Sequence, residues 1–200
     1  MGYHRAGFEV VGVDVVRQPH YPFTFHQADA MSFPLEGFEA IHASPPCKAF
    51  TVAQRINGLE YPDLLTPTRE RLQDWGSVWV MENVPGAPMR PDVTLCGSAF
   101  DLQVQRHRQF EFGFPFFTMM APCYHLWEGD GPVGVYGHTG TSANFDPTQR
   151  GRGNHGWEVA DWRRAMDIDW MARDELAQAI PPAYTQWIGA HLLARLEMAA

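Results

Sequence analysis

Short apolar runs broken by polar positions dominate the first half of the chain, and their period sets the expected elements. The β-branched run GFEVVGVDVV (residues 7–16) ends at Asp14, and GYHRAGF before it reads as the end of a helix. FTFHQADA (residues 23–30) and FEAIHAS (residues 38–44) read as two further strands, each ending in a polar residue. TPTRERLQDWG (residues 66–76) reads as a helix with Thr66 as N-cap, Pro67 at the first helical position and Gly76 as the stop. SVWVMENVPG then returns to a strand and a turn. Alternating strands and helices predict an α/β fold with a mostly parallel sheet covered on both faces.

Beyond residue 114 the pattern changes. Residues 115–160 are rich in glycine, as in GDGPVGVYGHTGTSANFD and TQRGRGNHG, and show little helical period, so they read as a small loop-rich segment. Residues 161–200 become helical again, break at Pro181 and Pro182, and end in a helix on which Ile188, Leu192, Leu193 and Leu196 share one face. The expected organisation is therefore a core in residues 1–114, an inserted segment in 115–160 and C-terminal helices that return to the core. Trp157, Trp162 and Trp170 are expected to pack the small segment.

Composition narrows the class. Of 200 residues 45% are apolar and 13% aromatic, enough for one domain with a real core. No apolar run reaches membrane-spanning length and the first residues lack a signal-peptide pattern, so the expectation is a cytoplasmic, monomeric protein without a membrane partner. The three cysteines, Cys47, Cys96 and Cys123, are odd in number and lack CxxC spacing, which argues against a disulfide framework and against zinc. A formal charge of −8 gives no general attraction to nucleic acid, so any DNA contact must come from local basic groups.

Three short stretches carry candidate chemistry. In SPPC, Pro45 and Pro46 end a strand because they lack an N–H, leaving Cys47 at the tip of a loop on the ligand-binding side of an α/β sheet. A buried structural cysteine is the alternative. In MENVPG, Glu82 and Asn83 end an apolar strand, where partial burial raises a carboxylate pKa and suits it to meet a substrate nitrogen in the protonated form. A helix cap or a surface ion pair is the alternative. In QRHRQFEF, Arg106 and Arg108 alternate along an expected strand and so point to one face, with a solvated charge pair as the alternative.

Taken in this order, the three stretches resemble the C5 cytosine DNA methyltransferases, and the resemblance covers most of the chain, closest to the compact, phage-type members. PPC (residues 45–47) looks like the family's nucleophile motif, ENV (residues 82–84) like its second catalytic motif, and Arg106 and Arg108 like its arginine-x-arginine motif. QAIPPAYTQWIG (residues 178–189) is similar to the late GN-x-V-P motif, with Gln178 where the asparagine is expected.

The resemblance implies a Rossmann-like S-adenosylmethionine-dependent methyltransferase fold, with residues 115–160 as target-recognition segment and double-stranded DNA as partner. It implies that Cys47 attacks C6 of a flipped cytosine, Glu82 donates to N3, Arg108 holds O2, Arg106 supports the loop or acts on the thiol by its charge, and Asn83 orients the loop. Asp14 and Asp29 would hold the ribose hydroxyls and the adenine amino group of S-adenosylmethionine, with Pro45 and Gln178 also at the cofactor. Lys48, Gln54 and Arg55, in a loop like the family's mobile loop, and Arg150 and Arg152, between glycines, are the expected DNA contacts.

The family's opening strand and glycine-rich turn have no counterpart before GYHRAGF, so this reading expects the first strand to lie outside the 200 residues. It also expects a slot, or a collapse that closes it, between the strands at residues 9–14 and 39–44. Two other readings stand beside it. One is a non-catalytic DNA-binding remnant of the family. The other is a thymidylate synthase-like enzyme, which also uses a cysteine after two prolines but has no use for ENV or the arginine pair.

Overall fold

The structure is a computed structural model and describes residues 1–50, 62–120, 123–125, 131–135 and 157–199, with only the backbone of 48 and 49. In chain order the elements are α1 (Gly2–Arg5), β1 (Val11–Asp14), β2 (Thr24–Gln27), β3 (Ala40–Ala43), a 3₁₀ turn (Cys47–Phe50), α2 (Leu65–Trp75), β4 (Val78–Asn83), β5 (Val93–Leu95), a second 3₁₀ turn (Gly97–Phe100), β6 (Arg108–Phe112), α3 (Val159–Met166), α4 (Arg173–Gln178) and α5 (Pro182–Glu197).

β4 organises the larger sheet, whose order is β3-β4-β6-β5. All six of its residues are buried, as expected of a central strand covered on both faces. Its side chains alternate between two cores. Val78 and Val80 join Val93, Leu95, Phe110 and Phe112 beneath Tyr184, Ile188 and Leu192 of α5. Trp79 and Met81 pack on the opposite face with Leu65 and Leu72 of α2. β3 runs parallel to β4, whereas β6 runs antiparallel to both β4 and β5, so the sheet is mixed and the fold is α/β. A third apolar cluster joins Val133 and Val135 to Trp162, Met166 and Leu176 of α3 and α4, with Trp157 and Trp170 at its margin.

β1 and β2 form a separate parallel pair. Among the described residues no strand pairs with the edges of β1 and β3 that face each other. Cavities lie between them instead, lined by Val11, Val13 and Asp14 on one side and Ala40, Ile41 and His42 on the other. The slot expected between these two strands is therefore open.

Helix ends follow local chemistry with one correction. α2 starts at Leu65, ahead of the expected Thr66 cap, with Leu64 at the N-cap position; Asp63 just before it braces the first turn, its Oδ1 accepting from the Leu65 N–H at 2.8 Å and its Oδ2 from the Thr66 hydroxyl at 3.4 Å. Pro67 therefore sits inside the first turn. Gly76 ends the helix with φ 74°, a left-handed conformation that glycine adopts without a Cβ penalty. α1 lies close against α5, where a Cβ on Gly189 would approach that of Ala6 to 2.7 Å. This packing holds Tyr3 over β3.

A buried ion pair fastens α2 to the sheet. Arg69 donates through Nε and Nη2, each at 2.9 Å, to the two carboxylate oxygens of Glu111, whose side chain is 5% exposed. The Arg90 backbone N–H donates to the same carboxylate at 3.0 Å. Removing the guanidinium leaves a buried, uncompensated charge, so Arg69→Ala should lower unfolding free energy by about 3 kcal/mol. Adding Glu111→Gln should restore part of that loss. Urea denaturation of the two variants checks this, and a single variant within about 0.5 kcal/mol of the parent, the spread of ordinary surface changes, contradicts it.

Candidate functional site

The parallel register of β3 and β4 pairs Ala43 with Met81, so the residues that leave β3 emerge beside Glu82 and Asn83. Pro45 and Pro46 donate no hydrogen bond, and the loop they form must be held by a group from outside it. Asn83 supplies that group. Its side-chain amide donates to the Pro45 carbonyl at 3.0 Å, while its own side-chain oxygen accepts from the Val84 N–H at 2.9 Å. Asn83 is buried. Cys47 follows as the first residue of the 3₁₀ turn, half-buried with a free thiol.

Glu82 lies on the α5 face of β4 and is 6% exposed. Its Oε1 receives the Arg108 Nε at 2.9 Å. Burial raises its pKa, against the opposing pull of Arg108, a hydrogen bond from Ser44 and the more distant charge of Arg106. Desolvation favours the protonated carboxyl, while the Arg108 and Ser44 contacts favour the ionised one.

The two arginines do not share a face as the alternating pattern implied. β6 begins only at Arg108, and Arg106 precedes it in irregular chain. Arg106 turns away, donating to the carbonyls of Val135 at 2.8 Å and Ala177 at 2.7 Å, and so ties residues 131–135 and α4 to the core. Arg108 pairs with the carboxyl of Glu82.

Asp14, Asp29 and Pro45 line one cavity of about 360 Å³, together with Met31, Phe33, Ile41 and Ser44. Both aspartates also brace their own loops: Asp14 Oδ1 accepts from the Val16 N–H at 2.8 Å and Asp29 Oδ1 from the Met31 N–H at 2.9 Å. Each retains carboxylate acceptor capacity beyond the bond to its own loop. Gln178, at the end of α4, lines a neighbouring cavity that includes Asp14 and His42 but neither Asp29 nor Pro45. The side chain of Lys48, and Gln54, Arg55, Arg150 and Arg152 entirely, lie outside the described residues.

Sequence reasoning passed over a polar chain leading to Glu82. The Tyr3 hydroxyl bonds to His42 Nδ1, and His42 Nε2 lies 2.9 Å from the Ser44 hydroxyl, which bonds in turn to Glu82. Burial pushes the His42 pKa down to about 4, so the ring is neutral at pH 7. One consistent orientation follows: Tyr3 donates to Nδ1, Nε2–H donates to Ser44, and Ser44 donates to Glu82. A histidine in the middle of the apolar run AIHA was its only trace in the sequence.

A second group was also missed. Cys96, His107, Cys123 and His125 bring one donor atom each to within 4.8 Å of one another, although they are scattered along the chain. The absence of CxxC spacing hid them, because the β5–β6 register brings Cys96 beside His107 and the chain after β6 adds Cys123 and His125.

Among the described residues no helix is long and apolar enough to cross a membrane. Compared with known proteins, the chain matches no protein-family model and no curated protein.

Because the pKa of His42 is lowered from 6.5 to about 4, the unfolded chain takes up this proton first as pH falls. The contribution is complete above pH 6.5 and declines toward pH 4 by about 1.4 kcal/mol for each pH unit. His42→Gln should remove that component from the pH dependence of unfolding. An imidazole that titrates near its ordinary value in NMR contradicts the burial.

Proposed function

We propose that this chain is a DNA (cytosine-5-)-methyltransferase of Rossmann-like fold, acting on a flipped cytosine in double-stranded DNA with S-adenosylmethionine as methyl donor. The observation that carries this reading is the convergence of the Cys47 loop, Glu82 and Arg108 from three separate elements, with Asn83 locking the loop.

Carbon 5 of cytosine is too weak a nucleophile to take a methyl group unaided. Attack of the Cys47 thiolate on C6 breaks the C5=C6 double bond and forms an enamine, while Glu82 donates its proton to N3 to accept the developing charge. Arg108 orients Glu82 and faces the base O2. S-adenosylmethionine supplies the electrophilic methyl group. Loss of the C5 proton to a base then re-forms the double bond and expels the thiolate, and return of the N3 proton to Glu82 restores the enzyme.

The cavity of Asp14, Asp29 and Pro45 fits such a cofactor in its donor set: carboxylates for ribose hydroxyls and an exocyclic amine, with Met31, Phe33 and Ile41 as apolar walls for a purine. It adjoins the Pro45 end of the nucleophile loop.

A second reading draws on the open gap between β1 and β3, which lies beside this cavity. In it, the chain is a non-catalytic DNA-binding remnant of the same family. Calorimetric binding of S-adenosylmethionine favours the enzyme, and DNA binding without cofactor binding favours the remnant.

Duplex DNA carrying 5-fluorocytosine tests the chemistry, because fluorine at C5 blocks the final elimination. With cofactor present, the parent should form an adduct that survives denaturation and Cys47→Ala should form none. Glu82→Gln, which cannot deliver the proton, should slow methyl transfer about 10²- to 10⁴-fold. An adduct that persists without Cys47, or maps to Cys96 or Cys123, overturns the assignment.

A further inference from the structure

The grouping of Cys96, His107, Cys123 and His125 has the composition and dimensions of a closed tetrahedral metal site. Zinc bonds of about 2.3 Å to sulfur and about 2.0 to 2.1 Å to nitrogen place neighbouring S and N ligands of a tetrahedron about 3.6 Å apart. Here Cys96 Sγ lies 3.6 Å from His125 Nε2, and Cys123 Sγ lies 3.4 Å from His107 Nε2. Both histidines thus turn the same ring nitrogen to the cluster. The Gln105 side-chain nitrogen stands 3.5 Å from His125 Nδ1, and a ring bound through Nε2 would require the amide turned over so that its oxygen accepts the Nδ1–H. The rings of His107 and His125 meet edge to face with centroids 5.1 Å apart, which brings their nitrogens together without stacking.

The fold accounts for the assembly. Leu95 pairs with Arg108 at the end of the antiparallel β5–β6 ladder, so Cys96 and His107, the next residue on each strand, leave the ladder side by side. Cys123 and His125, two residues apart, come to this end of the sheet from beyond β6. Cys96 is 1% exposed, whereas Cys123 and His125 are exposed, so the cluster closes over the sheet end from the solvent side.

We propose that these four residues bind one zinc ion in a structural Cys2His2 site that fastens the chain after β6 to the end of the β5–β6 ladder. Two thiolates balance the charge of the ion, and four protein ligands leave no open position for catalysis, so the role is to hold structure. The site lies next to Arg108 in sequence and would fix the start of the strand that carries it. This inference stands independently of the proposed methyl transfer, since its readout is metal content.

The test is metal analysis of the purified chain after expression with added zinc, followed by cobalt substitution. One zinc per chain is expected, with the intense visible absorption of tetrahedral thiolate-bound cobalt after exchange. Cys123→Ser and His125→Ala, both at exposed positions, should abolish stoichiometric zinc while circular dichroism shows a folded chain. Cys47→Ser should keep it. Chelation should lower the melting temperature of the parent but not of the two variants. A folded parent that takes up neither metal, unchanged zinc in both variants, or a Cys96–Cys123 disulfide in metal-free protein would overturn the proposal.

Discussion

A loop made by two prolines cannot hold itself, and the site depends on what holds it instead. Pro45 and Pro46 offer carbonyls but no N–H, so the turn after β3 has only acceptors to give at those positions. The buried Asn83 amide meets one of them at 3.0 Å. Because β3 and β4 run parallel in fixed register, this single bond sets Cys47 beside the strand end that carries Glu82. Losing it would leave a buried carbonyl and a buried amide unpaired, a cost of about 1 to 3 kcal/mol for each group.

Around that bond the structure gathers groups whose charge is held in check by burial. Glu82 is pushed toward its protonated form by desolvation even though Arg108 sits against it. His42 is kept neutral by the same force, so Tyr3, His42 and Ser44 form a directed line of donors toward Glu82. The neutral line rests on α1, which packs tightly on α5. The polar line to Glu82 is thus tied to packing at the far side of the sheet.

Much of this was legible because it rests on local rules. Apolar alternation and the Pro45–Pro46 break announced β3, β4 and the loop, and burial of a strand-end carboxylate implied the direction in which Glu82 titrates. Elements that depend on distant partners were not legible. β5 is only three residues long, too short for its period to register. Arg106 obeyed the alternation in sequence, yet two backbone carbonyls from residues far along the chain claim its guanidinium. The start of α2 moved because Asp63 takes up the Leu65 N–H ahead of Thr66. The Cys/His cluster joins the end of the β5–β6 pairing to chain beyond β6, which no spacing rule along the chain encodes.

The central claim is that the Cys47 loop and Glu82 direct methylation to carbon 5 of cytosine. Incubating the purified chain with duplex DNA and S-adenosylmethionine labelled in the methyl group, then digesting the DNA to nucleosides for mass spectrometry, measures this directly. The account predicts label in 5-methyl-2′-deoxycytidine alone. Label on an exocyclic nitrogen of cytosine or adenine, or none from a chain that binds both DNA and cofactor, would contradict it.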